Sequence, residues 1–337
     1  MNPKVALALT AGCIGAAVLN AQTPPSPALL VLAKSDQTLS VVDPKTLTVV
    51  GRVPSGPDPH EVVVSADGRL AYVSNYHGGN NRISVVDLVG LKALAPIDLG
   101  PLGAPHGLAF VGGKLFFTAE AAKVIGSYDP VSSKVDWVLG TGQNRTHMIS
   151  VSEDLNRIVT SNVSSGTMTL VEKATGGGRG PGGPGGQPDW DETVVPVGKG
   201  AEGFDVSPDG KEIWAANAQD GTVSIIDVAT KTVTQTLPAN VQGANRLKFT
   251  PDGRLVFVST LRGPQLTIID AATRKDVKRL PIGRGAAGIQ MQPDGLRAYV
   301  ACTPDDSVAV IDLKTLEVVA RIDAGKQPDG LAWVTRR

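Results

Sequence analysis

Cysteine is nearly missing from this chain: 337 residues carry two, and only Cys302 lies beyond the N-terminal segment. That excludes a disulfide-stapled domain and a cysteine-based zinc site, so stability must come from an apolar core. Charge of one sign is also missing, with 32 basic residues against 32 acidic ones. A balanced surface offers no electrostatic attraction for DNA, RNA or anionic membranes. Aromatics make up only 4% of residues, and no apolar run is long enough for a membrane span. Glycine and proline are plentiful instead, at 39 and 24, which points to many turns and few long helices.

The one apolar stretch of note stands at the start, in "MNPKVALALTAGCIGAAVLNAQ". A positive residue, Lys4, precedes the apolar run 5–19, and Leu19-Asn20-Ala21 precedes Gln22. This is the pattern of a secretory signal peptide spanning 1–21, with export to the periplasm or the extracellular space expected. A lipoprotein site at Gly12-Cys13 is the alternative, disfavoured because the residues after Cys13 stay apolar. Removal of 1–21 takes away Lys4 and no acid, leaving a net charge of −1 on 22–337.

What the chain has in abundance is a repeat. "PHEVVVSADGRLAYVSN" from Pro59 returns as "PHGLAFVGGKLFFTAE" from Pro105 and "THMISVSEDLNRIVTSN" from Thr146. It returns again as "EGFDVSPDGKEIWAAN" from Glu202, "NRLKFTPDGRLVFVST" from Asn245 and "AGIQMQPDGLRAYVAC" from Ala287. Each unit reads as a hairpin, in four of the six around Asp-Gly, followed by two further strands, as in "TVSIIDVATKTVTQTLP" from Thr222. Asp43, Asp87, Asp129, Asp227, Asp270 and Asp312 close the third strands, and their place before a turn marks them as turn-capping residues. Four strands in about 42 residues is the signature of a β-propeller blade. Residues 28–56 hold strands two to four without a first, and 326–334 hold a first strand alone. Docking one onto the other yields an all-β, seven-bladed propeller closed by the C-terminal strand, with no long open sheet edge.

These repeats, notably "SPDGKEIWAAN…GTVSIIDVATKTV" and "DGLRAYVAC…DSVAVIDLKTLEVV", resemble the YVTN-type propeller repeat of secreted and surface-layer-like bacterial proteins. The resemblance covers everything after the signal segment, and it implies a fold more than an activity. One unit is longer than the others because it contains "GGGRGPGGPGGQPDWDE" from Gly176. Such a composition cannot bury apolar surface, so 176–186 is expected to be a disordered loop opposite the channel mouth. It lacks the strand, helix and Gly-Lys-Ser/Thr of a phosphate loop.

The chain has four histidines, and His60, His106 and His147 share one register in consecutive units. The full ring at that register is His60, His106, His147, Glu202, Asn245, Ala287 and Asp329, which a propeller would gather at one opening of its central channel. A histidine starting a strand is usually a hydrogen-bonded structural residue. Three in one register, beside carboxylates and an amide, point instead to a ligand site of His60, His106, His147, Glu202, Asn245 and Asp329, with His77 nearby. Imidazoles plus a carboxylate also suit a divalent ion such as Zn or Cu, with His60, His106, His147 and Glu202 as ligands. In placement this resembles the histidine-bearing hub of the nitrous oxide reductase propeller, although three histidines suit a single ion rather than a cluster. Lactonase-type and muconate-lactonizing propellers are similar in placing His, Glu and Arg at this mouth. That resemblance implies His147 and Glu202 as acid/base partners, with Arg145 or Arg246 holding a carboxylate. Strict strand alternation turns the neighbouring Arg246 away from the opening. A third expectation is a protein-interaction scaffold using Tyr76, His77, Arg262 and Asp305-Asp306.

Overall fold

A computed structural model describes residues 24–76, 80–174 and 190–336. The N-terminal 1–21 with Cys13, His77, and the Gly-rich 176–186 lie outside the described residues. The described chain is all-β, seven four-stranded blades in a ring, with one short 3₁₀ turn at Thr303–Asp305. No helix among the described residues is long and apolar enough to cross a membrane.

Blade 1 is built from both ends of the chain. Pro328–Val334 pairs antiparallel with Ala28–Ala33, aligning Leu29 with Trp333, Leu30 with Ala332 and Val31 with Leu331. The outer strands Thr38–Asp43 and Thr48–Pro54 complete it. Blades 2 to 7 then follow in chain order, and their innermost strands touch in that order and return to blade 1.

Burial within a blade explains the sequence pattern. Second strands such as Leu255–Thr260 are buried along their whole length, and so read as continuous apolar runs rather than alternating ones. Fourth strands such as Lys134–Gly140 alternate exposed and half-buried residues, because one edge and part of one face meet water. The cores lie between blades: Leu30, Leu32 and Val41 of blade 1 pack on Val62, Val73 and Val86 of blade 2. Leu29, Val31 and Val42 pack on Tyr299, Val308 and Val310 of blade 7.

The turns are fixed by side chains. Asp43, Asp87, Asp129, Asp227, Asp270 and Asp312 each accept a backbone N–H two or three residues on, so the repeated acid caps turns as its position implies. Blade 2 departs from the pattern. Its outer edge is split into Lys92–Ala93 and Ile97–Asp98, with Pro96 between them, which has no N–H to give to the ladder.

Candidate functional site at the channel mouth

The site is made by an irregularity that every blade shares. In all seven, the first strand carries two residues where the second carries one: Pro59 faces Asn75 and Val62 faces Val73, with His60 and Glu61 opposite Ser74, and likewise around the ring. Such a bulge turns two successive side chains toward the same edge of the strand. One of each pair is the ring found by register, His60 through Asp329. The next residues form a second ring just below it: Glu61, Gly107, Met148, Gly203, Arg246, Gly288 and Gly330.

Glycine at four of those positions has a steric cause. A Cβ at Gly107 would stand 2.5 Å from the His147 carbonyl, and at Gly288 2.2 Å from that of Asp329. Neighbouring inner strands therefore pack backbone to backbone at the bulge. Hydroxyls on the second strands bind this contact. Thr118 accepts the Gly107 N–H and donates to the His147 carbonyl. Ser161 does the same between Met148 and Glu202, and Ser259 between Arg246 and Ala287.

The bulge also corrects the placement of Arg246. Alternation would turn it outward, but the extra residue brings it into the channel, where its guanidinium pairs with Glu61 from the far side of the ring. Both side chains are largely buried, at 7% and 17% exposure. The ion pair spans the channel below the mouth.

Above it the three histidines form a row. The His106 ring lies 3.6 Å from that of His147 and 5.3 Å from that of His60, centroid to centroid. His147 Nδ1 meets Glu120 Oε1, and its Nε2 is 2.9 Å from Glu202 Oε1, close but not aligned as a hydrogen bond. The Tyr76 hydroxyl donates to Glu120 at 2.5 Å, and its ring stands edge-on to His106 at 4.9 Å. His60 lies within 3.4 Å of the Lys34 ammonium, which is paired with Asp329 at 2.8 Å. Asn245 completes the wall with its side-chain oxygen buried and unpartnered. Ala287 contributes no polar group.

Lys34 and Glu120 were not legible as site residues, and Tyr76 was expected only as a contact of an interaction scaffold. All three stand immediately after a second strand, and their backbone N–H groups bond Gln327, Asp58 and Ala104 in the loop before a first strand. Aligning the repeats on the end of the second strand would have gathered them. Arg145 occupies the matching loop position, held with φ at +58°, a conformation that costs an arginine about 1 kcal/mol. Its guanidinium reaches Glu120 at 3.6 Å and Glu202 at 3.8 Å, too far for hydrogen bonds.

Protonation separates the two stacked imidazoles. Burial lowers the pKa of both, but around His147 the carboxylates of Glu202 and Glu120 outweigh it and raise the pKa above its ordinary value. His106 has no such partner. Burial, with the charges of His147 and Arg246, pushes it well below 6.5. For Glu202 burial opposes ionisation, but His147 and Arg145 prevail and pull the carboxyl down to about 2. Burial and the Glu120 carboxylate push Tyr76 up to about 12. The row therefore sets an imidazole that burial keeps neutral against one that its two carboxylates bias toward the protonated form.

The four donors expected for a metal are brought together, but His147 has a carboxylate at each nitrogen and His106 stacks on its ring. Among the described residues no group of three or more His, Cys, Asp or Glu is disposed to hold a metal ion. Cys302 is fully buried, its thiol against the Ile282 carbonyl at 3.3 Å.

No family model matches the chain, and no characterised protein matches it in sequence. Solved structures share the fold. A functionally unknown protein from Desulfotomaculum acetoxidans superposes with a TM-score of 0.74 at 14% identity, covering 93% of this chain and all of that one. A putative 6-phosphogluconolactonase from Bacteroides uniformis does so at 0.72 and 16% identity, covering 92% and 99%. The dihydro-heme d1 dehydrogenase NirN, in complex with DHE, matches at 0.63 and 17% identity, covering 92% of this chain and 76% of its own. At these identities the likeness is one of fold: the chain is a seven-bladed β-propeller with 6-phosphogluconolactonase-like structural neighbours.

Proposed function

We propose that the channel mouth binds a small, oxygen-rich ligand, and that the chain is an exported propeller of the YVTN type. The observation that carries the ligand site is a pair of buried polar atoms without hydrogen-bond partners, His106 Nδ1 and Asn245 Oδ1, beside the His147–Glu202 ion pair. Each such atom costs about 1–3 kcal/mol when left unsatisfied, and two in one ring call for a bound partner. Arg145 is the movable cover. Its two long ion pairs and 39% exposed side chain hold it weakly, so an incoming carboxylate or carbonyl can recruit it.

Lactone hydrolysis is the activity favoured by the opposed protonation of His106 and His147, since groups whose surroundings drive their pKa values apart divide into base and acid. Glu202 is already engaged by His147 and Arg145 and serves to hold the imidazolium, whereas His106 has an unpartnered ring nitrogen to offer. Neutral His106 would take a proton from water as the oxygen attacks the lactone carbonyl. Arg145 would stabilise the oxyanion, and His147 would protonate the departing ring oxygen. The putative 6-phosphogluconolactonases with this fold make sugar lactones the first substrates to try. In a pH-stat, ring opening of glucono-δ-lactone should exceed its spontaneous rate. His106→Gln should lose about 100-fold of that acceleration, and Arg145→Met should act mainly on KM. No acceleration, together with no thermal stabilisation by gluconate, would overturn the assignment.

A further inference from the structure

The Glu61–Arg246 pair divides the channel, and beneath it lies a second chamber of about 480 Å³ that opens on the face opposite the histidines. Its volume is that of a small-molecule site. The walls are largely apolar and come from five blades, among them Val62, Phe110, Met148, Ile289 and Trp333. Two of the walls are rigid rings. Phe110 stacks on Tyr72 at 5.5 Å with 8° between planes, and Trp333 stacks on Tyr299 at 6.0 Å with 27°.

The charge in this chamber is uneven. Its ceiling is the buried ion pair, in which Arg246 faces Glu202 and Asp329 as well as Glu61. Below it stands a single further ionisable lining group, Lys248, 42% exposed and 3.2 Å from Asp205 Oδ1. Asp205 is held in the blade wall by the Phe249 N–H at 3.0 Å and does not line the chamber. Lys248 is a cation on a flexible four-carbon stem that can swing inward; its partner cannot follow.

We propose that this lower chamber is a second binding site, separate from the mouth, for a small apolar anion whose aromatic or aliphatic body lies between Phe110 and Trp333. Lys248 meets its acidic group at the rim. The apolar walls supply most of the affinity by removing surface from water, at about 25 cal/mol per Å², and the lysine selects the charge. The ion pair overhead keeps this ligand from the histidines.

Anilinonaphthalene sulfonate, an aromatic anion that fluoresces in apolar surroundings, is the probe. Titrated into the full chain it should saturate at one site and take energy from Trp333. Trp333→Phe should remove most of that transfer while keeping the dissociation constant within about 2-fold. Lys248→Glu should weaken binding about 10-fold, the scale of one ion pair at a partly desolvated site, and Lys248→Met should fall between. Neutral N-phenylnaphthylamine should bind all three Lys248 forms alike, which also shows the chamber intact in each. His106→Gln should leave the anion's affinity unchanged. Non-saturable binding, an unchanged affinity in Lys248→Glu, or an equal loss in His106→Gln would overturn the proposal.

Discussion

Removal of the Glu61 carboxylate is the sharpest test of how the channel is built. Arg246 is 6% exposed, and Glu61 is its direct ion-pair partner. Glu61→Gln strands a guanidinium away from water, and breaking a buried pair from one side costs about 3–5 kcal/mol. Glu202 and Asp329 also attract Arg246, which places the expected loss at the lower end, about 3 kcal/mol. At about 2.1 cal/mol/K per residue of unfolding entropy, a propeller of this length should lose about 5 °C in melting temperature. The double variant Glu61→Leu with Arg246→Met removes both charges and replaces them with apolar bulk. It should recover most of the loss, because the desolvation cost goes with the charges. Scanning calorimetry or urea unfolding of the wild type, Glu61→Leu, Arg246→Met and the double variant completes the cycle. If Glu61→Gln stays within about 0.5 kcal/mol of wild type, the pair does not span a dry channel, and the division into two chambers fails with it.

Two further outcomes follow from the same geometry. The folded pKa of His106 is lowered, so its contribution is fully present above its unfolded value near 6.5 and is lost as pH falls below it; His147 is raised, so its contribution is present below 6.5 and is lost as pH rises through the folded value. Melting temperature against pH should therefore become less steep on the acid side in His106→Gln, where lowered His60 keeps part of the slope, and less steep on the alkaline side in His147→Gln; matching changes in both variants would refute the assigned directions. Truncation before Pro328 removes the innermost strand of blade 1 and uncovers Leu29, Leu30 and Val31, all fully buried; the shortened chain should lose its cooperative melting transition, and an unchanged transition would refute closure by the C-terminal strand.

The repeat determined most of the architecture by itself. Six copies of a hairpin, and a half-unit at each end, leave one arrangement that pairs every strand, and the Leu29–Trp333 register is that arrangement. The register of His60, His106 and His147 was legible for the same reason: a repeat places equivalent residues at equivalent points of a ring. Tertiary structure alone decided what those histidines do to one another. The bulge that admits Arg246 adds one residue to a strand without changing its apolar pattern, so strict alternation misplaced it. Glu120 stands 27 residues from the His147 it holds, and Glu61 185 from Arg246, and neither pair repeats in other blades. The periodicity that reveals the ring carries no record of contacts made once, across the ring, between residues that only closure brings together.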